Sequence, residues 1–171
     1  KYYPGEVTMR IADVVVINKM DSAAPEAIQI VRESIEKVNP KAVVIDGASP
    51  IKVDDPSVIK GKKVLVVEDG PTLTHGEMKI GAGVVAARKF GAEELVDPRP
   101  YTVGRLSETF LQYPNIGTLL PAMGYGEQQL RDLERTLNAI PADVIVDGSP
   151  ANLQRVLRLE KPVVNLRYEL D

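Results

Sequence analysis

Ala12-Asp13-Val14-Val15-Val16-Ile17-Asn18-Lys19-Met20-Asp21 carries the reading of this chain. Four consecutive branched apolar residues predict a strand buried on both faces, as inside a parallel sheet. The strand runs into Asn-Lys-x-Asp, where the chain turns toward a helix. In open α/β sheets, ligands bind just beyond such carboxyl ends.

The turn suits guanine. The Asp21 carboxylate can accept two hydrogen bonds from the N–H donors on one edge of that base, a charge-assisted bidentate pair. Adenine lacks that pair of donors and would leave the carboxylate unpaired. The Lys19 stem can lie against a ring or ribose, and Asn18 can tie the loop to its neighbours. A polar turn after a core strand is the plainer alternative.

Composition narrows the classes. The 171 residues carry a net charge of −3, which argues against a nucleic-acid surface. With no cysteine, disulfides, thiolate zinc and a cysteine nucleophile are excluded, and a reducing cytoplasm is the expected setting. His75 is the single histidine, so no histidine pair exists for a metal and no histidine-based metal site is expected. No apolar run reaches the ~18 residues of a membrane span. A GxxxxGK[ST] phosphate loop is also missing: Lys60-Gly61-Lys62-Lys63 precedes a strand instead of opening a helix. A base-reading turn without a phosphate loop is half a site, so a preceding N-terminal half of the same protein is the expected partner.

Strand and helix patterns alternate along the chain. A helix opening at Ser22-Ala23-Ala24-Pro25 shows Ile28, Val31, Ile35 and Val38 on one face and stops at Asn39-Pro40. Strand Ala42–Ile45 leads into Asp46-Gly47-Ala48-Ser49-Pro50, where Ala48 and Ser49 are placed to offer backbone N–H groups to a base carbonyl. The polar connector 50–61 marks a boundary between a first lobe, 1–60, and a second, 61–171. Strands are expected at Lys63–Val67, Leu95–Val96, Ile116–Leu120, Asp143–Val146 and Val163–Leu166, with helices between them. The fold class is α/β, a parallel doubly wound arrangement of three layers.

Stretch 68–83 is long for a strand-to-helix connection. Its glycines, including Gly76, with Thr72, Thr74 and Lys79, could cradle a phosphate at a helix start. Glu68 and Asp69 could position a nucleophile or hold magnesium, and His75 could move a proton near neutral pH. Glycines serving close helix–sheet packing, with solvated acids, are the alternative. Arg99, beside a Pro-x-Pro turn, is a second anion candidate.

Together with Asn39-Pro40-Lys41-Ala42, the opening stretch resembles the metallochaperone-type branch of the GTPases. Val67-Glu68-Asp69-Gly70-Pro71-Thr72-Leu73-Thr74-His75-Gly76, Val96-Asp97-Pro98-Arg99-Pro100-Tyr101 and Leu120-Pro121-Ala122-Met123-Gly124-Tyr125-Gly126 narrow this. They are similar to predicted GTPases related to archaeal cyclic 2,3-diphosphoglycerate synthetase. The resemblance covers essentially the whole chain as the C-terminal part of a longer protein. It implies that 1–60 end a P-loop nucleotide-hydrolase fold and that 61–171 form a Rossmann-like lobe. It further implies GTP or ATP as nucleotide, Mg2+ held with the N-terminal part, and a small phosphorylated second substrate. No nucleic-acid or membrane partner is expected, and homo-oligomerisation stays open. The rival reading is a non-catalytic nucleotide-sensing or chaperone module that docks a partner protein.

Overall fold

Short aliphatic runs pair as parallel strands because helices carry the chain back between them. The protein is described by a computed structural model over residues 5–70, 81–168 and 170–171. It divides into two units, Lys1–Ile51 with Tyr168–Asp171, and Lys52–Arg167. Both are mixed α/β with parallel pairing.

In the first unit, helix α1 (Gly5–Ile11) precedes strand β1 (Val14–Ile17), helix α2 (Pro25–Val38) and strand β2 (Val43–Asp46). Pro25 opens α2, where its missing N–H costs nothing. At the other end, Asn39 Nδ2 donates to Met9 O at 2.9 Å and Ala12 O at 2.8 Å, tying the ends of α1 and α2 together. β1 and β2 pair in parallel, Val14 with Val43 through Ile17 with Asp46.

The expectation that β1 is buried on both faces does not hold. Asp46 is bound by Arg32 of α2, which puts α2 on the face shared by Val15, Ile17 and Val44. The other face is open: Val14 is 50% exposed, Val16 45%, Val43 60% and Ile45 48%. Alternation, not the run of four apolar residues, decides which side chains are covered.

Within the polar connector 50–61 lie strand β3 (Ile51–Val53), whose Lys52 and Val53 belong to the second unit, and a 3-10 turn at Pro56–Val58. There follow β4 (Lys63–Asp69), α3 (Ala82–Lys89), β5 (Glu94–Leu95), a 3-10 turn at Arg99–Tyr101, α4 (Arg105–Gln112), β6 (Leu120–Ala122), α5 (Glu127–Ala139), β7 (Val144–Gly148), α6 (Leu153–Val156) and β8 (Val163–Tyr168). The sheet order is β3-β8-β7-β4-β5, with β6 also on β4. β4 is the centre. β7 pairs along Val64–Glu68, β5 meets only Lys63 and Val64, and β6 meets Val67–Asp69. β6 begins later than the sequence suggests and runs through Pro121. Among the described residues it has a single strand partner, so a missing N–H is tolerated there.

Val64, Leu65, Val66 and Val67 are at most 1% exposed and anchor a core shared with Val144, Ile145 and Val146 of β7 and Leu133 and Leu137 of α5. The strands therefore deliver their carboxyl ends, with their acids, to one rim of a rigid sheet.

Candidate functional site

Two clusters of chemistry-bearing residues stand at strand ends, one in each unit.

In the first unit, the turn after β1 and the loop after β2 are knitted together. Gly47 N donates to Ile17 O at 2.9 Å, and Met20 N donates back to Gly47 O at 3.1 Å. Lys19 takes a left-handed conformation, φ 62°, stabilised by its N–H donating to Asn18 Oδ1 at 2.7 Å. Asn18 Oδ1 also accepts from Ser49 Oγ at 2.8 Å. Ser49 N donates to Asp21 Oδ1 at 2.7 Å. Thus Asn18, Lys19, Asp21, Ala48 and Ser49 do meet, and Asn18 ties the loops as expected. Asp21 Oδ2 carries no hydrogen bond among the described residues, and Asn18, Lys19 and Asp21 are exposed while Ser49 is buried.

The backbone donors are arranged differently from the expectation. Neither N–H assigned to a base carbonyl is open: Ser49 N is spent on Asp21, and Ala48 N donates to Asp171 O at 3.0 Å. Asp171 N returns a bond to Ala48 O at 2.9 Å. Nothing in the local sequence announces this pairing with the end of the chain.

In the second unit, β4 and β7 end side by side, Val67 opposite Asp147 and Glu68 opposite Gly148. Strand alternation sends Glu68 to one face and Asp69 with Asp147 to the other. Glu68 is 6% exposed, and its Oε1 accepts from Gly83 N at 2.6 Å and Val84 N at 3.3 Å, the first turn of α3. Three glycines make room for it. A Cβ at Gly81 would lie 2.5 Å from both carboxylate oxygens, at Gly83 2.9 Å from Oε1, and at Gly148 2.9 Å from Oε2. Burial pushes the Glu68 carboxyl above the ordinary range; the two backbone N–H bonds oppose this, and the charges of Asp147 and Asp69 reinforce it. The result is a buried carboxyl, its titration shifted upward, seated against the first turn of α3.

Asp147, at the end of β7, is 2% exposed. Its Oδ1 accepts from Ser149 N at 2.9 Å and Ser149 Oγ at 2.7 Å, and its Oδ2 from Leu153 N at 2.9 Å, so it fixes the start of α6. Tyr125 hydrogen-bonds the Ser149 side chain. Partial burial first, then the charge of Asp69, raises its phenol above the usual value. The available signal was the echo of Asp46-Gly47-Ala48-Ser49-Pro50 in Asp147-Gly148-Ser149-Pro150. The two turns use their acids differently: Asp46 holds Arg32, while Asp147 holds its own loop.

Arg99 has a role the sequence did not suggest. Its Nη1 donates to Asp97 Oδ1 at 3.0 Å and Oδ2 at 2.9 Å, Nη2 bonds Ile116 O, and the guanidinium lies 5.2 Å from the Phe110 ring centroid. It locks the 3-10 turn to α4 and to the approach to β6. Thr72, Thr74, His75, Gly76 and Lys79 lie outside the described residues. Among the described residues no group of three or more His, Asp or Glu side chains is arranged to hold a metal ion. Nor is any helix among them long and apolar enough to cross a membrane.

No family model matches the chain. It is 60% identical, over all 171 residues, to arginine synthetase ArcE of Thermococcus kodakarensis. It spans 38% of that protein's length. The relative is a synthetase by name, a name that does not indicate a GTPase, which puts a ligase-type protein among the relatives of this chain.

Proposed function

We propose that this chain is a working part of a nucleotide-dependent ligase. The observation that carries the reading is the 60% identity to a synthetase over the full 171 residues of the chain. The geometry of both strand-end clusters supports it. The turn Asn18–Asp21 would read the nucleotide base, with Asp21 Oδ1 steadied by Ser49 N and Oδ2 turned to the base N–H edge. The unit built on β4 would present the acceptor. Glu68 would hold or release a proton there, and Asp69 would lie near the reacting group.

A P-loop-type phosphate site, with its magnesium, would be supplied by polypeptide outside these 171 residues. The reaction class is phosphoryl activation: the γ-phosphoryl of GTP or ATP passes to an acceptor oxygen, nucleoside diphosphate leaves, and a nucleophile then displaces phosphate. An amine nucleophile fits the arginine named for the relative, and a neighbouring phosphate oxygen fits the phosphoanhydride closure of the resembled synthetases.

The test is a chimera in which this chain replaces the matched stretch of the T. kodakarensis relative. Arginine formation and phosphate release are followed with each nucleotide. Retained activity that falls about a hundredfold or more in Glu68→Ala or Asp69→Ala supports the assignment. An inactive, folded chimera beside an active parent overturns it.

A further inference from the structure

The open face of the β1–β2 sheet has no role in the ligase reading, yet it is built with care. Val14 lies opposite Val43 and Val16 opposite Ile45, all four on the side turned from α2. Their exposures run from 45% to 60%, high for aligned valines and isoleucine on a parallel sheet. Parallel strands with one bare face are rarely stable, because crossover helices ordinarily cover both sides. Two strands alone are marginal in any case. The patch is aliphatic without a charged member, and Leu170 borders it: a Cβ on Gly47 would meet Leu170 Cδ1 at 2.6 Å and Val16 Cγ1 at 3.3 Å.

We propose that this face seats an amphipathic helix contributed by the same polypeptide outside residues 1–171. The proposal rests on the reading of this chain as part of a longer ligase. A helix is the fitting occupant because the face is open, and a flat valine–isoleucine surface receives an aliphatic helical stripe at i, i+3, i+4, i+7. The same polypeptide is the fitting source because the relative matched over the full 171 residues carries 62% of its length outside the match. An aliphatic patch left in water marks an interaction surface.

The absence of cysteine makes the test direct. Val16→Cys, Ile45→Cys and, as a control, Lys37→Cys are made in the 171-residue chain and in the chimera. Maleimide labelling of each peptide is then timed by mass spectrometry. The expected result is fast labelling at all three sites in the chain alone, with positions 16 and 45 slowed about tenfold or more in the chimera and position 37 unchanged. A second readout is Val16→Asp, which should leave the melting of the chain unchanged and lower that of the chimera. Equal labelling in both settings overturns the proposal. Protection in the chain alone that disappears on dilution also overturns it, and identifies a second copy as the occupant. Neither readout involves nucleotide or turnover. The seat can therefore fail while the ligase assignment stands, and the reverse.

Discussion

Asp21 and Glu68 are the two carboxylates whose surroundings make distinct demands. With Oδ1 of Asp21 held by Ser49 N, an amide at this position would offer N–H where guanine also offers N–H. In the chimera, Asp21→Asn should weaken GTP by on the order of 2–4 kcal/mol, about thirty-fold and upward, and improve xanthosine triphosphate, whose carbonyl replaces the amino donor. Calorimetric titration with GTP, ATP and xanthosine triphosphate checks it. No GTP preference in wild type would reduce Asp21 to a loop clamp. Glu68 is tested through stability. Burial raises its carboxyl, so the folded protein binds that proton more tightly than the unfolded chain. The stability it lends is full at pH below the ordinary glutamate range and is lost as pH rises through the raised value. Glu68→Gln keeps an acceptor for Gly83 N and Val84 N but does not titrate. Its urea midpoint should therefore gain on wild type as pH climbs through that window; parallel midpoints would exclude the buried proton.

At the scale of elements, the fit of α3 against β4 is the sharpest local constraint. A methyl at Gly83 would stand 2.6 Å from Val66 Cγ1. Gly83→Ala should cost about 1–3 kcal/mol through overpacking, seen as a lowered thermal midpoint. Leu137→Ala, which empties a fully buried site on α5, should cost about 2–5 kcal/mol by the same measure. The elements themselves were largely legible: β4 and β7 announce themselves as runs of valine and isoleucine ending in acids, and α5 by Leu130, Leu133 and Leu137 at helical spacing. The cover over each face was not legible. The Val14–Ile17 run reads the same whether one side or both are packed, because sequence fixes alternation and not the neighbour. Asn18, Asp21 and Ser49 could be grouped because two consecutive strands of one crossover end at the same rim. The pairing of Ala48 with Asp171 could not, since it depends on where a distant segment returns. The partners of Arg99 were not legible for a related reason: a guanidinium suits a backbone carbonyl and a carboxylate as well as a phosphate.

For the whole molecule, the apolar core is unequally shared. Among the described residues, Ile17 and Ile35 are the buried aliphatics of the first unit, while the continuous core lies in the second. Amide hydrogen exchange should therefore be faster in β1 and β2 than in β4 and β7 by orders of magnitude, and mass-resolved exchange of the chain measures it. Comparable protection in both sheets would contradict that ranking. The pairing of β4 with β7 has a further consequence during synthesis. Lys63 N is bonded to Asp143 Oδ2 across 80 residues of chain. At about 5–20 residues per second, a ribosome needs roughly 4–16 s to make that stretch. For that time Val64-Leu65-Val66-Val67 waits without its principal strand, a sticky segment in a nascent chain. Lys60, Lys62 and Lys63 on one side and Glu68 and Asp69 on the other flank it with charge, the gatekeeping that keeps such a segment from pairing with a neighbour on the same polysome.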